Sequence, residues 1–301
     1  MPFKARTESI ELKILRILDL QMNLTVDEQK YYLNLEKGFE GEVQFDLLTE
    51  KLQGECFILN DLLLEINNTK FQIDTLIIYQ ETIYLFEVKN YKGDFCYEPD
   101  SFRTIYGKEI KNPLDQLKRS KSLLRQLIQN LGYNLPIEAY VVFINPEFTL
   151  YQAPQDQPFI FPTQLNRFMK KLDMTPSKLN RKHKKLADQL VSLHISESPC
   201  TGLPTYEYKQ LKKGLTCKVC HSFSMSVQGK KLVCDVCGCE EEVESAFLRS
   251  VEEFKLLFPD QKITTNVIHD WCKVIKSKKR ISRILGKNFK MKGVRQWAFY
   301  E

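Results

Sequence analysis

The chain lacks any apolar run approaching the roughly 18 residues of a membrane-spanning helix. Its Met1-Pro2-Phe3-Lys4 start also lacks an apolar signal core followed by a cleavage site, so the expected address is cytoplasmic. Nothing in the composition marks wholesale disorder. With 43% hydrophobic and 27% charged residues over 301 positions, the chain is long enough for one substantial core plus smaller modules. Nine cysteines could mark a secreted disulfide scaffold, but a chain of this length with no secretion signal argues against it, and their clustering points to metal. Acidic residues are scarce in two tracts. Between Gln164 and Leu190 eight Lys or Arg face two Asp, and from Lys262 to Glu301 eleven Lys or Arg face two acidic residues, although the whole chain is only +6. Positive charge is therefore segregated, and the remainder of the chain stands at −9.

Two strand-like runs carry the first candidate site. Phe71 to Tyr79 and Thr82 to Lys89 are dominated by β-branched and aromatic residues, with Gln80-Glu81 as a short polar break, and together they read as a β-hairpin. Side chains alternate across a strand, so Glu87 and Lys89 project from one face, and pairing with the preceding strand brings Asp74 alongside them. Glu42 precedes them in a helix-like segment. Converging carboxylates suit a hard divalent ion that polarises a phosphodiester and lowers the pKa of a bound water, and Lys89 could position that water or steady developing negative charge. The alternative is a plain Glu87–Lys89 surface ion pair on an edge strand.

The surrounding residues narrow the choice. Gly38-Phe39-Glu40-Gly41-Glu42, Asn60-Asp61, Gln72-Ile73-Asp74, Glu87-Val88-Lys89-Asn90-Tyr91-Lys92-Gly93 and Asn112-Pro113-Leu114-Asp115-Gln116 occur in order from about Lys37 to Asn145. This succession resembles the NERD (nuclease-related domain) family of the PD-(D/E)XK nuclease superfamily. The resemblance implies an α/β, restriction-endonuclease-like fold, a mixed central sheet flanked by helices. It further implies Glu42, Asp74 and Glu87 as ligands of Mg²⁺ or Mn²⁺, Lys89 as the catalytic lysine and Gln116 as a polar helper from the next helix.

A second metal site is read from spacing. Cys217-x-x-Cys220 and Cys234-x-x-Cys237 stand thirteen residues apart, with Gly214 before the first pair, Gly229 between them and Gly238 after the second. That is zinc-ribbon spacing: two tight knuckles brought together by a hairpin around one tetrahedral Zn²⁺, its coordination closed by four thiolates and hence structural. Two redox dithiols would need a βαβ setting that the flanking sequence lacks. His221 and Cys239 are spare neighbours.

Elsewhere, Ser9 to Leu20 has helical spacing, and Thr25-Val26-Asp27-Glu28 forms a capping box for a second helix, the one that carries Glu42. Glycines 38 and 41 inside that helix suggest close approach of its backbone to the sheet or ligand, or a local break. Cys56 to Ile66 and Ile137 to Asn145 supply further strands, Pro113 to Leu131 a helix, and residues 146–162 read as loop. Thr163 to Val191 is helical and basic, either a phosphate-tracking face or a solvated surface. In the C-terminal tract, caps at Thr264 and Ser277 start two short helices, and the second leaves Lys278, Arg280, Arg283 and Lys287 facing outward. With the Gly293 turn and the strand-like Val294 to Tyr300, this resembles a winged helix-turn-helix whose basic helix enters a major groove. A packing module with a lysine-rich face is the alternative.

The expected organisation is an N-terminal helical segment at 1–36, a nuclease-like domain with its basic helical extension at 37–195, a zinc ribbon at 205–241 and a basic helix-turn-helix-like module at 242–301. Two functions compete: a Mg²⁺-dependent deoxyribonuclease, with DNA as the main partner and RNA open, and a non-catalytic nucleic-acid-binding or scaffold protein. No membrane partner is expected, and protein partners are not indicated.

Overall fold

Helices α1 (Ile10–Gln21) and α2 (Val26–Thr49) precede six strands, β1 (Phe57–Ile66), β2 (Thr69–Ile78), β3 (Ile83–Lys89), β4 (Gly93–Glu98), β5 (Ser101–Thr104) and β6 (Glu109–Ile110). Helix α3 (Pro113–Asn130), strands β7 (Ile137–Phe143), β8 (Phe148–Tyr151) and β9 (Phe159–Ile160), and helices α4 (Leu165–Asp173) and α5 (Arg181–Ser192) follow. The C-terminal third holds β10 (Met225–Gln228), β11 (Lys231–Cys234), β12 (Glu240–Glu242), α6 (Val243–Leu257), α7 (Thr265–Cys272), α8 (Lys278–Asn288), β13 (Met291–Lys292) and β14 (Phe299–Tyr300). The computed structural model describes all residues except 99–100, 197–199 and 294–296. Among the described residues, no helix is long and apolar enough to cross a membrane.

The chain divides into two compact units, Met1–Ser9 with Leu33–Pro199, and Ile10–Tyr32 with Cys200–Glu301. Residues 1–9 and 33–36 thus fall in the first unit and residues 10–32 in the second.

The first unit is built on a five-stranded mixed sheet in the order β1-β2-β3-β7-β9. Strands β1, β2 and β3 pair antiparallel as a meander, whereas β3, β7 and β9 run parallel. The parallel step from β3 to β7 follows from the crossover through α3, since a tight hairpin can only join antiparallel strands. Alternating side chains supply a core on each face. Ile83, Leu85, Leu76 and Ile78 join Leu117, Leu124, Leu186 and Leu190 of α3 and α5 on one side, and Phe86, Val88, Ile77 and Tyr79 join Phe45 of α2 and Leu165 and Leu172 of α4 on the other.

The segment expected as loop after Asn145 contains strands. Phe148 opens β8, and β9 extends the central sheet. What holds them is aromatic burial: the Phe143 and Phe148 rings stack with centroids 4.0 Å apart, and Phe159 and Phe161 pack on Phe143 at 5.5 and 5.9 Å. A second sheet, β6-β5-β4-β8, was absent from the sequence reading. Its short strands lack the long β-branched runs that reveal β2 and β3.

In the second unit, Phe247, Phe254, Trp271, Ile281 and Leu285 form a core together with Ile14 and Leu18 of α1. The indole Nε1 of Trp271 donates to the Ser250 carbonyl at 3.1 Å, so its one polar group is satisfied. Strands β10, β11 and β12 form a small antiparallel sheet, and β13 pairs antiparallel with β14.

Candidate active site and metal centre

The site lies where β2 parts from β3. Their ladder runs from Ile78↔Ile83 to Thr75↔Phe86, and the next residue of β2, Asp74, turns its carboxylate to the neighbouring strand, where Oδ2 accepts the Val88 N–H at 2.7 Å. A side chain thereby takes the donor that a continuing strand would use. The opposite partner, Asp61 on β1, has φ +54°, and the two-residue alternation breaks there: Leu59 and Leu62, three apart, both enter the same core. This irregularity places a carboxylate, rather than an apolar side chain, against the end of β3.

On β3, Lys89 Nζ sits 2.6 Å from Glu87 Oε1. The pair is not on an edge, because β3 lies between β2 and β7, and Glu87 is only 1% exposed. The surface ion-pair alternative is therefore excluded by position. Lys89 also donates to Gln116 Oε1 at 3.2 Å. Gln116 arrives from the first turn of α3, whose start is fixed by Asn112, with Oδ1 accepting the Leu114 N–H at 3.0 Å, and by Pro113 in the first turn.

Glu42 comes from α2, and the Thr25/Glu28 capping box expected for that helix is present. The approach of α2 is close at Gly41, where a Cβ would lie 2.5 Å from Asn90 Cβ, while Gly38 has open space around it. Of the two glycines, only Gly41 serves the close approach.

Arg6 was invisible to sequence reasoning. Its guanidinium is buried, contacts Glu42 Oε2 at 2.5 Å, clasps Asp46 through Nε and Nη2 at 2.8 and 3.0 Å, and donates to the Asp74 carbonyl at 2.8 Å. The N-terminal segment that carries it is fixed by the Lys4↔Leu59 bridge to β1. No local pattern links Arg6 to partners 36 to 68 positions away. Asp46 was accessible in principle, since the i, i+4 spacing puts it beside Glu42 on α2.

The electrostatics follow from burial and crowding. Burial and the neighbouring Asp74 push Glu87 up to about 8, against the pull of Lys89. Burial and Asp74 push Glu42 to about 8 as well, against Arg6. Asp74 is raised by its own burial, opposed by Lys89 and the Val88 N–H. Burial works against the charge of Lys89, but Glu87 and Asp74 outweigh it and hold the ammonium protonated beyond the ordinary lysine range. Three acidic groups thus crowd one region in which a further cation would be stabilising.

The ligand atoms do not all draw together, however. Among the described residues, the group of three or more Cys, His, Asp or Glu whose ligand atoms all lie within 4.8 Å of one another is Cys217, Cys220, Cys234 and Cys237. Glu42 is instead bonded to the Arg6 guanidinium, which also holds Asp46. Asp74 and Glu87 remain as an oxygen-only pair, a donor set that fits a hard ion such as Mg²⁺, which keeps several waters and takes one or two carboxylates.

The region carrying this geometry has a recognisable relationship. Residues 37–144 match the model of the nuclease-related domain, NERD. Glu42, Asp74, Glu87, Lys89 and Gln116 all fall inside that span, which makes the region nuclease-like, while both the four-cysteine cluster and the C-terminal tract fall outside it. Among solved structures, the small subunit (R.BspD6I2) of the heterodimeric restriction endonuclease R.BspD6I is similar at 15% identity and a TM-score of 0.23, covering 62% of this chain and 88% of that one. No curated protein matches the chain.

The four-cysteine cluster is arranged to hold a metal ion. Cys217 and Cys237 Sγ are 3.6 Å apart, and Cys220 and Cys234 Sγ 3.5 Å. Each knuckle is a tight backbone turn: the His221 N–H donates to Cys217 O at 3.0 Å, and the Gly238 N–H donates to Cys234 O at 2.9 Å. Gly238 supplies the positive φ, +70°, that such a turn requires.

In the C-terminal tract, Thr264 and Ser277 cap α7 and α8 as expected, their hydroxyls accepting the N–H of Val267 and Arg280. Helix α8 buries Ile281, Ile284 and Leu285. Its cations are partly engaged: Lys278 with Asn266 Oδ1 at 2.9 Å, Arg280 with the Gly229 carbonyl at 3.1 Å, and Lys287 with Glu244 Oε1 at 2.8 Å. Arg283 is exposed, and the hydrogen bonds of Lys287 and Asn288 hold the Glu244 carboxyl low, with Arg283 adding to them. Of the expected strand Val294 to Tyr300, residues 294–296 lie outside the described ones, and Phe299–Tyr300 forms β14.

Proposed function

We propose that the nuclease-related domain is a divalent-cation-dependent nuclease that hydrolyses phosphodiester bonds of DNA, with RNA open as a second substrate. The single observation that carries this reading is the meeting of Asp74, Glu87 and Lys89 at the parted end of β2 and β3, two buried carboxylates beside one protonated lysine. Asp74 and Glu87 would hold Mg²⁺ or Mn²⁺, with Glu42 joining from α2 on exchange of its ion pair with Arg6. The ion, when bound, supplies Lewis-acid polarisation of the phosphate and a more acidic water. Lys89, kept charged by Glu87 and Asp74, stabilises negative charge developing on the phosphate, and its bond to Gln116 aims the ammonium. We assign Zn²⁺ to Cys217, Cys220, Cys234 and Cys237 as a structural ion, and nucleic-acid contacts to Lys278, Arg280, Arg283 and Lys287 on α8.

The Arg6–Glu42 ion pair favours a second reading, a non-catalytic nucleic-acid-binding or scaffold protein whose acidic groups are neutralised from within. Incubating the full chain and its Asp74→Ala variant with linear, circular and single-stranded DNA and with RNA, plus Mg²⁺ or Mn²⁺, separates the two. The parent should cut and the variant should lose at least about a hundredfold in rate, the upper end of what losing even a residue that only orients a metal ligand costs. Equal background from both would remove the enzyme.

A further inference from the structure

Beside the candidate site, the first unit has an open cleft of about 370 Å³ whose lining includes Lys70, Lys111, Gln116 and Arg119. Three of these are exposed cations, with Asp115 as the acidic residue among the lining. Among the described residues their charged groups make one hydrogen bond to protein, from Arg119 Nη2 to the Lys70 carbonyl at 3.4 Å. Two other cations of this unit do hold carboxylates: Arg6 those of Asp46 and Glu42, and Lys92 that of Glu147.

The cleft is continuous with the chemistry. Gln116 lines it and also accepts from Lys89. Lys70 precedes Asp74 by four residues on β2, about 13 Å at strand rise. Arg119 lies six residues beyond Pro113 on α3, about 9 Å along the axis and comparable to two or three steps of a nucleic-acid strand at about 3.4 Å each.

We propose that Lys70, Lys111 and Arg119 form a track for the phosphodiester backbone of a nucleic acid, leading one strand toward Asp74 and Glu87. This deepens the nuclease reading and rests on it for the bond that is cut, although binding along the track needs no cutting. Three exposed cations with no carboxylate partner among the described residues, lining an open cleft, suit a repeating anion better than a single enclosed phosphate. Basic residues outside the C-terminal tract thereby acquire a role.

Binding of the full chain to fluorescent duplex DNA, single-stranded DNA and RNA, with no divalent ion added, tests the track across a salt series. The variant Lys70→Gln/Lys111→Gln/Arg119→Gln should flatten the dependence of log affinity on log salt by about 2 to 3, since each phosphate contact contributes about 0.9 on duplex and about 0.7 on single strands. The charge-keeping variant Lys70→Arg/Lys111→Arg/Arg119→Lys should retain the parental slope, which separates charge from loss of folding. Arg283→Ala on α8 serves as an independent contact whose effect should add to the triple variant's. An unchanged slope for the glutamine variant on every probe would overturn the track. A flattened slope in a protein that cuts nothing with Mg²⁺ or Mn²⁺ would sink the nuclease reading and leave the track standing.

Discussion

Glu87 is nearly enclosed and shares its surroundings with Asp74, so its carboxyl in the metal-free protein prefers a proton well above the ordinary carboxylate range. Glu42 behaves alike. The consequence for stability has a definite sign. From the unfolded value of 4.5 up to about 8, the folded chain binds more protons than the unfolded one, so stability is fully present below that window and is lost as pH rises through it. A divalent ion needs the deprotonated groups and competes with those protons. The rise in melting temperature on adding Mg²⁺ should therefore be small at about pH 5.5 and larger at about pH 8.5, and an equal rise at both would place the ion elsewhere. Arg6 permits a second prediction. Arg6→Ala leaves Asp46 and Glu42 without their guanidinium, a loss of about 3 to 5 kcal/mol if the pair behaves as a buried one, read from the denaturant midpoint. A change below about 1 kcal/mol would mean that water or a bound cation already supports those carboxylates.

Among the elements, α2 shows how one helix can hold two glycines for different reasons. Gly41→Ala forces a Cβ against Asn90, which is bonded to the Lys37 carbonyl at 2.8 Å and to Asn145 at 2.9 Å, so helix or strand end must shift. It should cost about 1 to 3 kcal/mol and move Glu42. Gly38→Ala meets nothing and should add about 0.5 to 1 kcal/mol through helix propensity. Thermal melts of the two variants that shift equally would refute this division. The capping box at Thr25, the β2–β3 hairpin, the start of α3 at Pro113 and both cysteine knuckles were legible because each rests on contacts within a few residues along the chain. Strands β8 and β9 were not, because two to four residues among prolines and glutamines show no periodicity, and only packing on Phe143 makes them strands. The break in alternation at Asp61 and Asp74 was equally hidden, since a positive φ at a non-glycine residue is set by the sheet around it.

At the scale of the molecule, the match to the nuclease-related domain ends at residue 144, and what lies beyond it contributes a four-cysteine cluster and a tract in which positive charge is concentrated. Replacing Cys217 with serine should remove one metal ion per chain by elemental analysis and loosen the β10–β12 sheet, with the sheet of the first unit retained in its melting transition. Joint collapse of both transitions would show that the cysteine cluster supports more than its own unit. The placement of Asp74, Glu87 and Lys89 was legible as a pattern of residue types, but their burial and the guanidinium beside Glu42 come only from the folded chain. The most direct measurement is a crystal structure of the protein with Mn²⁺, read at the manganese absorption edge. An anomalous peak bridging the Asp74 and Glu87 carboxylates is the expected result. Manganese found elsewhere, with Glu87 still bonded to Lys89 and Glu42 still bonded to Arg6, would contradict the account.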